Sequence, residues 1–362
     1  MPEAAAIRDE AARLLAFFEG RGAVRVETPV LQPAETLLDL YGEDIRGRAY
    51  VTSDPVVGEA MLRPDFTVPV VQMHMERGAE PARYTYAGEV FRKQEEATHR
   101  APEYLQVGYE VFDRADPAAA DAEVFSLIAE ALGPLGLRAA TGDVGLLIAA
   151  ISALTTTERR KAALLRHLWR PRRFRTLLDR FSGRAPAPPG RAELLARPDP
   201  MACDAPLVGL RSEAEIAERI EALREDAAAP PIPDNEVRLL ADLIGLRETV
   251  DNIAEHLQDL AVDMPAIAPA VSRFIARAEA LAARGVDISR LDFEGSYGRT
   301  SLEYYDGFVF GFYAESRPDL PPVATGGRYD ALTRVLGQGS EIPAVGAVIR
   351  PELALQVVEG RA

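Results

Sequence analysis

The sequence has very little cysteine and histidine, the residues that form disulfides and bind many metals. One cysteine, Cys203, occurs among 362 residues, so an intramolecular disulfide and a cysteine zinc cluster are both excluded. No histidine lies near Cys203 in the sequence, which disfavours a catalytic thiol. The four histidines are scattered, without the spacing of metal ligands. They are His74, His99, His167 and His256. We therefore expect no metal ion and no cofactor.

Long apolar runs are also missing. No stretch of about 18 consecutive apolar residues is present, so the sequence predicts no membrane-spanning helix. The N-terminus has neither the basic region nor the apolar region of a secretory signal. We therefore expect a cytoplasmic protein that does not associate with membranes. The hydrophobic fraction of 48% and the charged fraction of 27% are typical of a globular chain, and the length predicts about two domains.

Positive charge is scarce as well. The chain has 41 basic and 56 acidic residues, for a net charge of -15, and only Lys93 and Lys161 are lysines. Because nucleic-acid binding depends on basic surfaces that neutralise phosphates, this balance disfavours it.

Residues 158–175 are an exception, with eight basic residues and one acidic residue, a local charge of +7. This segment is either a docking patch for an acidic partner or RNA, or a solvated helix face. We favour the second interpretation, in which the apolar residues of the segment are buried. These are Leu164, Leu165, Leu168 and Trp169.

The pattern of apolar residues predicts an α+β protein with an antiparallel sheet. We expect helices at 3–19 and 118–135, strands at 24–31, 83–92 and 103–112, and a charged hairpin loop at 93–100. A helical insertion with many prolines follows, and the chain becomes strand-like again at 308–313 and, after a glycine-rich turn, at 343–355. We therefore divide the chain into a core of residues 1–140 and 286–362 and a helical insertion of residues 141–285.

Six short segments resemble motifs of the histidyl-tRNA synthetases, in the same order as in that family. They are residues 25–29, 62–67, 88–92, 103–110, 302–305 and 326–330. The resemblance covers most of residues 5–135 and 290–355. It implies the class II aminoacyl-tRNA synthetase fold, an antiparallel sheet flanked by helices. Because residues 25–29 resemble the dimer-forming motif 1 of that fold, the resemblance also implies a dimer.

The same segments carry side chains that suit free histidine. The candidate histidine-binding residues are Asp65, Thr67, Gln106, Glu110, Tyr304, Tyr305 and Tyr329. Gln106 and Glu110 lie four apart on one predicted strand and therefore face the same side. Glu110 can accept a hydrogen bond from an imidazole N–H, and Gln106 can meet the backbone end of the ligand. Asp65 and Thr67 are predicted to share a face and to take the ammonium group, and the tyrosines supply flat walls and hydroxyl groups.

Three positions depart from the synthetase pattern. Thr300 stands where the family has an arginine that acts at the carboxylate, and Leu353 stands where motif 3 has its phosphate-binding arginine. In motif 2 Gln94 replaces a carboxylate, whereas Arg92 remains as a possible anion-binding residue. Arg299 is adjacent to Thr300, but on a strand a shift of one residue turns its side chain to the opposite face. Since phosphoryl chemistry depends on positioned cations, we expect adenylation to be lost.

The resemblance to the synthetases also implies an anticodon-binding domain, and no counterpart follows motif 3 in these 362 residues. A histidine pocket without adenylation groups or this domain resembles the family of ATP phosphoribosyltransferase regulatory subunits, paralogues of the synthetase. That resemblance implies a non-catalytic subunit that activates the short-form catalytic subunit, takes L-histidine as effector and does not bind tRNA. Two alternatives stay open: a divergent catalytic histidyl-tRNA synthetase, and an orphan paralogue that binds an amino acid for another purpose.

Overall fold

A computed structural model describes residues 2–41, 45–56, 58–93, 101–202, 209–299 and 304–360 of the chain. The first predicted helix is present as α1, Ala4–Glu19. Leu14, Leu15 and Phe18 on its apolar stripe are buried. The Phe18 ring stacks on Tyr109 of the sheet, with 5.1 Å between ring centroids. Helix α1 is therefore held to the sheet by the amphipathic face that the sequence predicts.

The strands of the described residues form a large sheet and a small one. They are β1 Val24–Arg25, β2 Leu31–Pro33, β3 Val51–Asp54, β4 Gly58–Leu62, β5 Ala82–Phe91, β6 Glu103–Phe112, β7 Arg138–Asp143, β8 Arg247–Thr249, β9 Asp292–Glu294, β10 Phe308–Tyr313, β11 Ala324–Arg328 and β12 Ala344–Ile349. The nine-stranded sheet has the order β1-β5-β6-β12-β11-β10-β7-β9-β8, and β2, β4 and β3 form the small sheet.

The predicted antiparallel sheet is confirmed in its central part. Strands β5 and β6 form the predicted hairpin, and the pairs from β6 to β7 are also antiparallel. Two pairs nearer the edges, β1 with β5 and β7 with β9, are parallel. Residues 94–100 of the predicted hairpin loop lie outside the described residues.

Helices form much of the rest of the described chain. They are α1, α2 Ala34–Tyr41, α3 Ile45–Arg48, α4 Thr67–Arg77, α5 Pro117–Ala131, α6 Val144–Ser152, α7 Glu158–Arg166, α8 Pro171–Phe181, α9 Pro189–Leu195, α10 Glu213–Ala228, α11 Asp234–Gly245, α12 Val250–Asp263, α13 Ala268–Ala283, α14 Asp330–Leu336 and α15 Pro351–Glu359, with short 3-10 turns at Gly133–Leu135 and Pro265–Ile267. Within the described ranges, no helix combines the length and the apolar character that crossing a membrane requires.

Three expectations about single elements are wrong. The predicted strand at 24–31 pairs in the large sheet over two residues only and continues into the small sheet. The glycine-rich turn is instead strand β11, where Gly326 and Gly327 leave room for the rings of Phe310 and Tyr305. The end of the predicted strand at 343–355 is helix α15, which begins with Pro351 at the position that proline favours.

The region predicted as a helical insertion is helical from α6 to α13, apart from β8 at the edge of the sheet. The predicted start of the insertion, residue 141, lies inside strand β7. Arg277 of α13 is buried and pairs with Asp143 at 2.8 Å and with Asp121 at 3.6 Å. The guanidinium also lies 4.4 Å from the Phe308 ring centroid on β10. These contacts fix α13 against the sheet.

The basic segment forms α7, the turn after it and the start of α8. Leu164 and Leu168 are buried, as the solvated-face interpretation predicts, whereas Leu165 and Trp169 are only partly buried. Arginines of the segment are exposed around them. These are Arg159, Arg166, Arg170, Arg172, Arg173 and Arg175.

Candidate functional site

A cavity of about 910 Å³ lies on one face of the large sheet. Its floor crosses five neighbouring strands, from β6 to β7. One residue from each is Gln106, Val348, Thr325, Val309 and Ala140. The cavity wall includes four of the residues that the sequence predicts for the site. These are Asp65, Arg92, Gln106 and Tyr305.

Glu110 lies next to this cavity and is completely buried. Its Oε1 accepts hydrogen bonds from the Tyr86 hydroxyl at 2.7 Å and the Thr67 hydroxyl at 3.1 Å. Its Oε2 accepts one from the Tyr329 hydroxyl at 2.6 Å. Burial raises the pKa of Glu110 to about 7, and the three hydroxyl groups oppose that rise. The carboxylate is thus held in one orientation by donors from α4, β5 and the end of β11.

Gly346 of β12 makes this arrangement possible. It faces Glu110 in the register of β12 and β6. A methyl group on residue 346 would overlap the Glu110 carboxylate. The glycine therefore leaves the space into which the carboxylate folds.

Asp65 and Thr67 do not share a strand face as expected, because they lie at the start of helix α4. Asp65 lines the cavity and accepts a hydrogen bond from the backbone N–H of Val68 at 3.3 Å. Thr67 instead donates to Glu110. The two side chains therefore serve different parts of the site.

Gln106 supplies an acceptor with no partner. It is buried on the cavity floor, and its Oε1 has no hydrogen bond from any described residue. A buried acceptor without a donor costs free energy, so this atom is suited to a ligand donor.

The predicted tyrosines take three different positions. Tyr305 lines the cavity. Tyr304 packs edge-on against Tyr305 and Tyr329, with centroids 4.9 and 6.0 Å apart. Tyr329 points its hydroxyl at Glu110. Tyr86 completes the cluster and is not predicted from the sequence. Only the pairing of β5 with β6 points to Tyr86. It pairs with Gly108, and its ring occupies the space that a side chain at 108 would need.

Arginine side chains form another part of the wall. Arg92 lines the cavity, and its Nε donates to the Pro64 carbonyl at 2.7 Å. Arg48, Arg138 and Arg350 also line it. The expectation that Arg299 turns away is wrong. Residues 295–299 form a turn rather than a strand, so face alternation does not apply, and Arg299 lines the cavity.

The other departures from the synthetase motifs are partly visible. Leu353 lies on α15 and packs, half-buried, against the hydrophobic core. Gln94, Thr300 and residues 301–303 lie outside the described residues, as does Cys203. Within the described ranges, no cluster of three or more His, Cys, Asp or Glu side chains is arranged to hold a metal ion.

Comparison with known proteins identifies the fold and the family of the chain. A sequence model of the family described as histidyl-tRNA synthetase matches residues 1–197 and 213–353. A solved structure titled as an ATP phosphoribosyltransferase regulatory subunit/histidyl-tRNA synthetase from Bacillus halodurans superposes with a TM-score of 0.69 at 20% identity, over 99% of this chain and 80% of that chain. The histidine–tRNA ligase subunit of Alicyclobacillus acidocaldarius gives a TM-score of 0.63 at 24% identity, over 100% and 96% of the two chains.

Curated relatives are similar at the level of sequence. The ATP phosphoribosyltransferase regulatory subunit of Brucella anthropi is 34% identical over 357 residues, which cover 92% of this chain and 93% of the relative. The protein of the same name from Brucella canis is 33% identical over 350 residues, 90% of this chain and 91% of the relative.

Fold and cavity together therefore define a protein with the class II synthetase fold, as the sequence predicts. Within that class, the chain belongs to the family of ATP phosphoribosyltransferase regulatory subunits. It is accordingly a regulatory rather than a catalytic subunit.

Proposed function

We propose that the chain activates a short-form ATP phosphoribosyltransferase catalytic subunit, in the first step of histidine biosynthesis, and makes it sensitive to L-histidine. The regulatory role follows from the family. The observation that best supports the effector is the unpartnered Oε1 of Gln106, which lies in a cavity beside Asp65 and next to buried Glu110.

The proposed recognition uses each end of the amino acid. The ammonium group is taken by the Asp65 carboxylate and Gln106 Oε1, both of them acceptors. The imidazole packs along Tyr305, and one ring N–H donates to Glu110. A carboxylate offers about four lone-pair sites, and three hydroxyl groups occupy three of those on Glu110. The remaining one is on Oε2, so the site can accept one further donor.

We propose that histidine acts by stabilising one quaternary state of the complex over another. Such an effect requires that histidine bind the two states with different affinity. Activation, in contrast, requires only the assembled complex.

The same proposal includes a dimer formed through residues 24–31. Three apolar side chains of this segment are exposed, which favours an interface there. They are Val24, Val30 and Leu31, exposed by 61%, 41% and 48%. Dimer interfaces of this kind are isologous, so the same segment of both chains is expected to meet. We further propose a cytoplasmic location, no binding of tRNA, and the division into a core and an insertion described above.

The experiment is to purify the chain from its own cells and identify what accompanies it. The proposal expects a short phosphoribosyltransferase, whose activity requires this chain and falls when histidine is added. A phosphoribosyltransferase that is active alone, or a complex insensitive to histidine, would contradict the corresponding half of the proposal. Absence of any such partner favours the orphan paralogue.

A further inference from the structure

Arg299 is held in place by the helical region. It is 5% exposed, its Nε donates to the Leu168 carbonyl at 3.0 Å, and its guanidinium lies 4.7 Å from the centroid of the Phe174 ring. Leu168 lies between α7 and α8, and Phe174 is on α8. These contacts use one nitrogen and one face of the guanidinium, and Nη2 is buried with no hydrogen-bond partner.

The charge of Arg299 has no counter-charge among the described residues. No carboxylate of the described ranges pairs with it, and the charged neighbour that acts on it is Arg175, of the same sign. Burial and Arg175 both lower the pKa of Arg299.

Three other buried arginines of the described residues pair with carboxylates, whereas a fourth, Arg63, donates to backbone carbonyl groups. Arg160 pairs with Asp226, Arg277 with Asp143, and Arg328 with Asp121 at 2.7 Å. A buried cation without a partner is strongly unfavourable, so a protein normally retains one only where something else supplies the negative charge.

The position of Arg299 indicates what supplies the negative charge. Arg299 and Gln106 line the same cavity, and each has a buried polar atom without a partner. One atom is a cationic donor and the other an acceptor. A ligand that carries both an oxyanion and an ammonium group supplies the charge or donor that each of these two residues lacks, and Asp65 offers a second acceptor for the ammonium.

We propose that Arg299 is an anion-binding residue of the cavity and takes a carboxylate or phosphate group of the ligand bound there. If the group is the carboxylate of histidine, the inference rests on the proposed function. Because α8 and the turn before it hold Arg299, ligand binding at this residue also engages the helical region.

The test is calorimetric titration of the full chain with three ligands: histidine, histamine, which lacks the carboxylate, and inorganic pyrophosphate. The variants are Arg299→Met, which removes the charge, and Arg299→Lys, which keeps it without the planar donor array. Arg138→Met is the matched control. Arg138 lines the same cavity, but Asp292 pairs with it at 2.6 Å.

We expect Arg299→Met to weaken histidine binding roughly 10- to 100-fold, the range of one charge-assisted hydrogen bond. The affinity of Arg299→Met for histamine, and that of the control variant for histidine, should change less than about threefold. Arg299→Lys should bind histidine with an intermediate affinity. Arg299→Met should not lower the melting temperature of the free chain, because it removes an uncompensated buried charge. Should it fail to fold, the comparison of Arg299→Lys with wild type decides the question.

The pyrophosphate titration separates the two sources of the oxyanion. Loss of pyrophosphate binding in Arg299→Met with histidine binding intact also supports the anion site and assigns it to a phosphate. A wild-type chain that binds pyrophosphate through Arg299 but not histidine refutes the proposed effector and keeps the anion site. The inference is overturned if the Arg299 variants bind both ligands as wild type does, or if wild type binds neither.

Discussion

The hydroxyl group of Tyr329 donates a hydrogen bond of 2.6 Å to the carboxylate of Glu110, although 219 positions separate the two residues in the chain. Strand β12 pairs with β6, which carries Glu110, and with β11, which ends directly before Tyr329, so the bond depends on the register of two antiparallel pairs. The cluster around Glu110 is therefore a product of the whole sheet rather than of one motif.

The buried carboxylate should make stability depend on pH. The pKa of Glu110 rises from its ordinary value of 4.5 to about 7 in the folded protein. The folded state therefore holds the proton more tightly than the unfolded state, and ionisation destabilises the fold as the pH rises between these values. The cost is on the order of 3 kcal/mol once both states are ionised.

The variant Glu110→Gln cannot ionise and should escape this loss. Its free energy of unfolding, relative to wild type, should increase as the pH is raised from about 5 to about 8. Denaturant titrations of both proteins at the two pH values measure it, and the difference between them cancels the other titrating groups. A difference that does not change with pH would show that Glu110 does not titrate in this range.

The glycine opposite Glu110 gives a second prediction. In Gly346→Ala the new methyl group would overlap the carboxylate, so the cluster must shift. We expect a loss of about 1–3 kcal/mol in the free energy of unfolding. Gly190→Ala is the matched control, because Gly190 lies on α9 with open space around it, and it should be neutral or slightly stabilising. Equal stability of the two variants would contradict the geometry.

The attachment of the helical region gives a third prediction. Arg277→Met would leave the buried carboxylates of Asp121 and Asp143 without this cation. Breaking a buried ion pair on one side costs about 3–5 kcal/mol, so the variant should unfold at much lower denaturant concentration. Arg273→Met on the same helix is exposed and should change stability by less than about 0.5 kcal/mol. Similar effects of the two variants would mean that the ion pairs do not anchor α13.

The replaced motif residues give a fourth prediction. Leu353 packs against the core where the synthetase motif has an arginine, and Thr300 replaces another. The isolated chain should therefore not catalyse histidine-dependent exchange of pyrophosphate into ATP, because two arginines on which the synthetase motifs depend are replaced. Exchange clearly above a no-enzyme control would favour the divergent synthetase instead.

Much of the sheet could be predicted from local pattern. The hairpin of β5 and β6 is predictable because both strands are long and residues 103–112 alternate apolar with polar residues. Strand β11 is not predictable in this way, because adjacent glycines indicate a turn. The ring of Tyr305, which packs on the glycines, is seen only in the structure. Helix α15 is also hard to predict, because its first residue is a proline and the strand before it is apolar.

The candidate site shows the same division. Motif resemblance identifies Glu110 and Gln106, but it does not identify Tyr86, whose role depends on strand pairing. The orientation of Arg299 does not follow from alternating faces, because residues 295–299 form a turn rather than a strand. The contacts of Tyr86 and Arg299 depend on tertiary packing, which cannot be predicted from sequence patterns alone.

We propose that the pocket next to Glu110 senses histidine on behalf of the catalytic subunit. The most direct measurement is the histidine inhibition curve of the complex reconstituted with Glu110→Gln, with each curve expressed relative to its own uninhibited rate. Glu103→Gln on the exposed start of the same strand is the matched control, and sedimentation verifies that both complexes assemble. We predict that the half-inhibitory histidine concentration rises roughly 10- to 100-fold for Glu110→Gln and stays unchanged for Glu103→Gln. A curve for Glu110→Gln that superimposes on wild type would show that Glu110 takes no part in histidine inhibition.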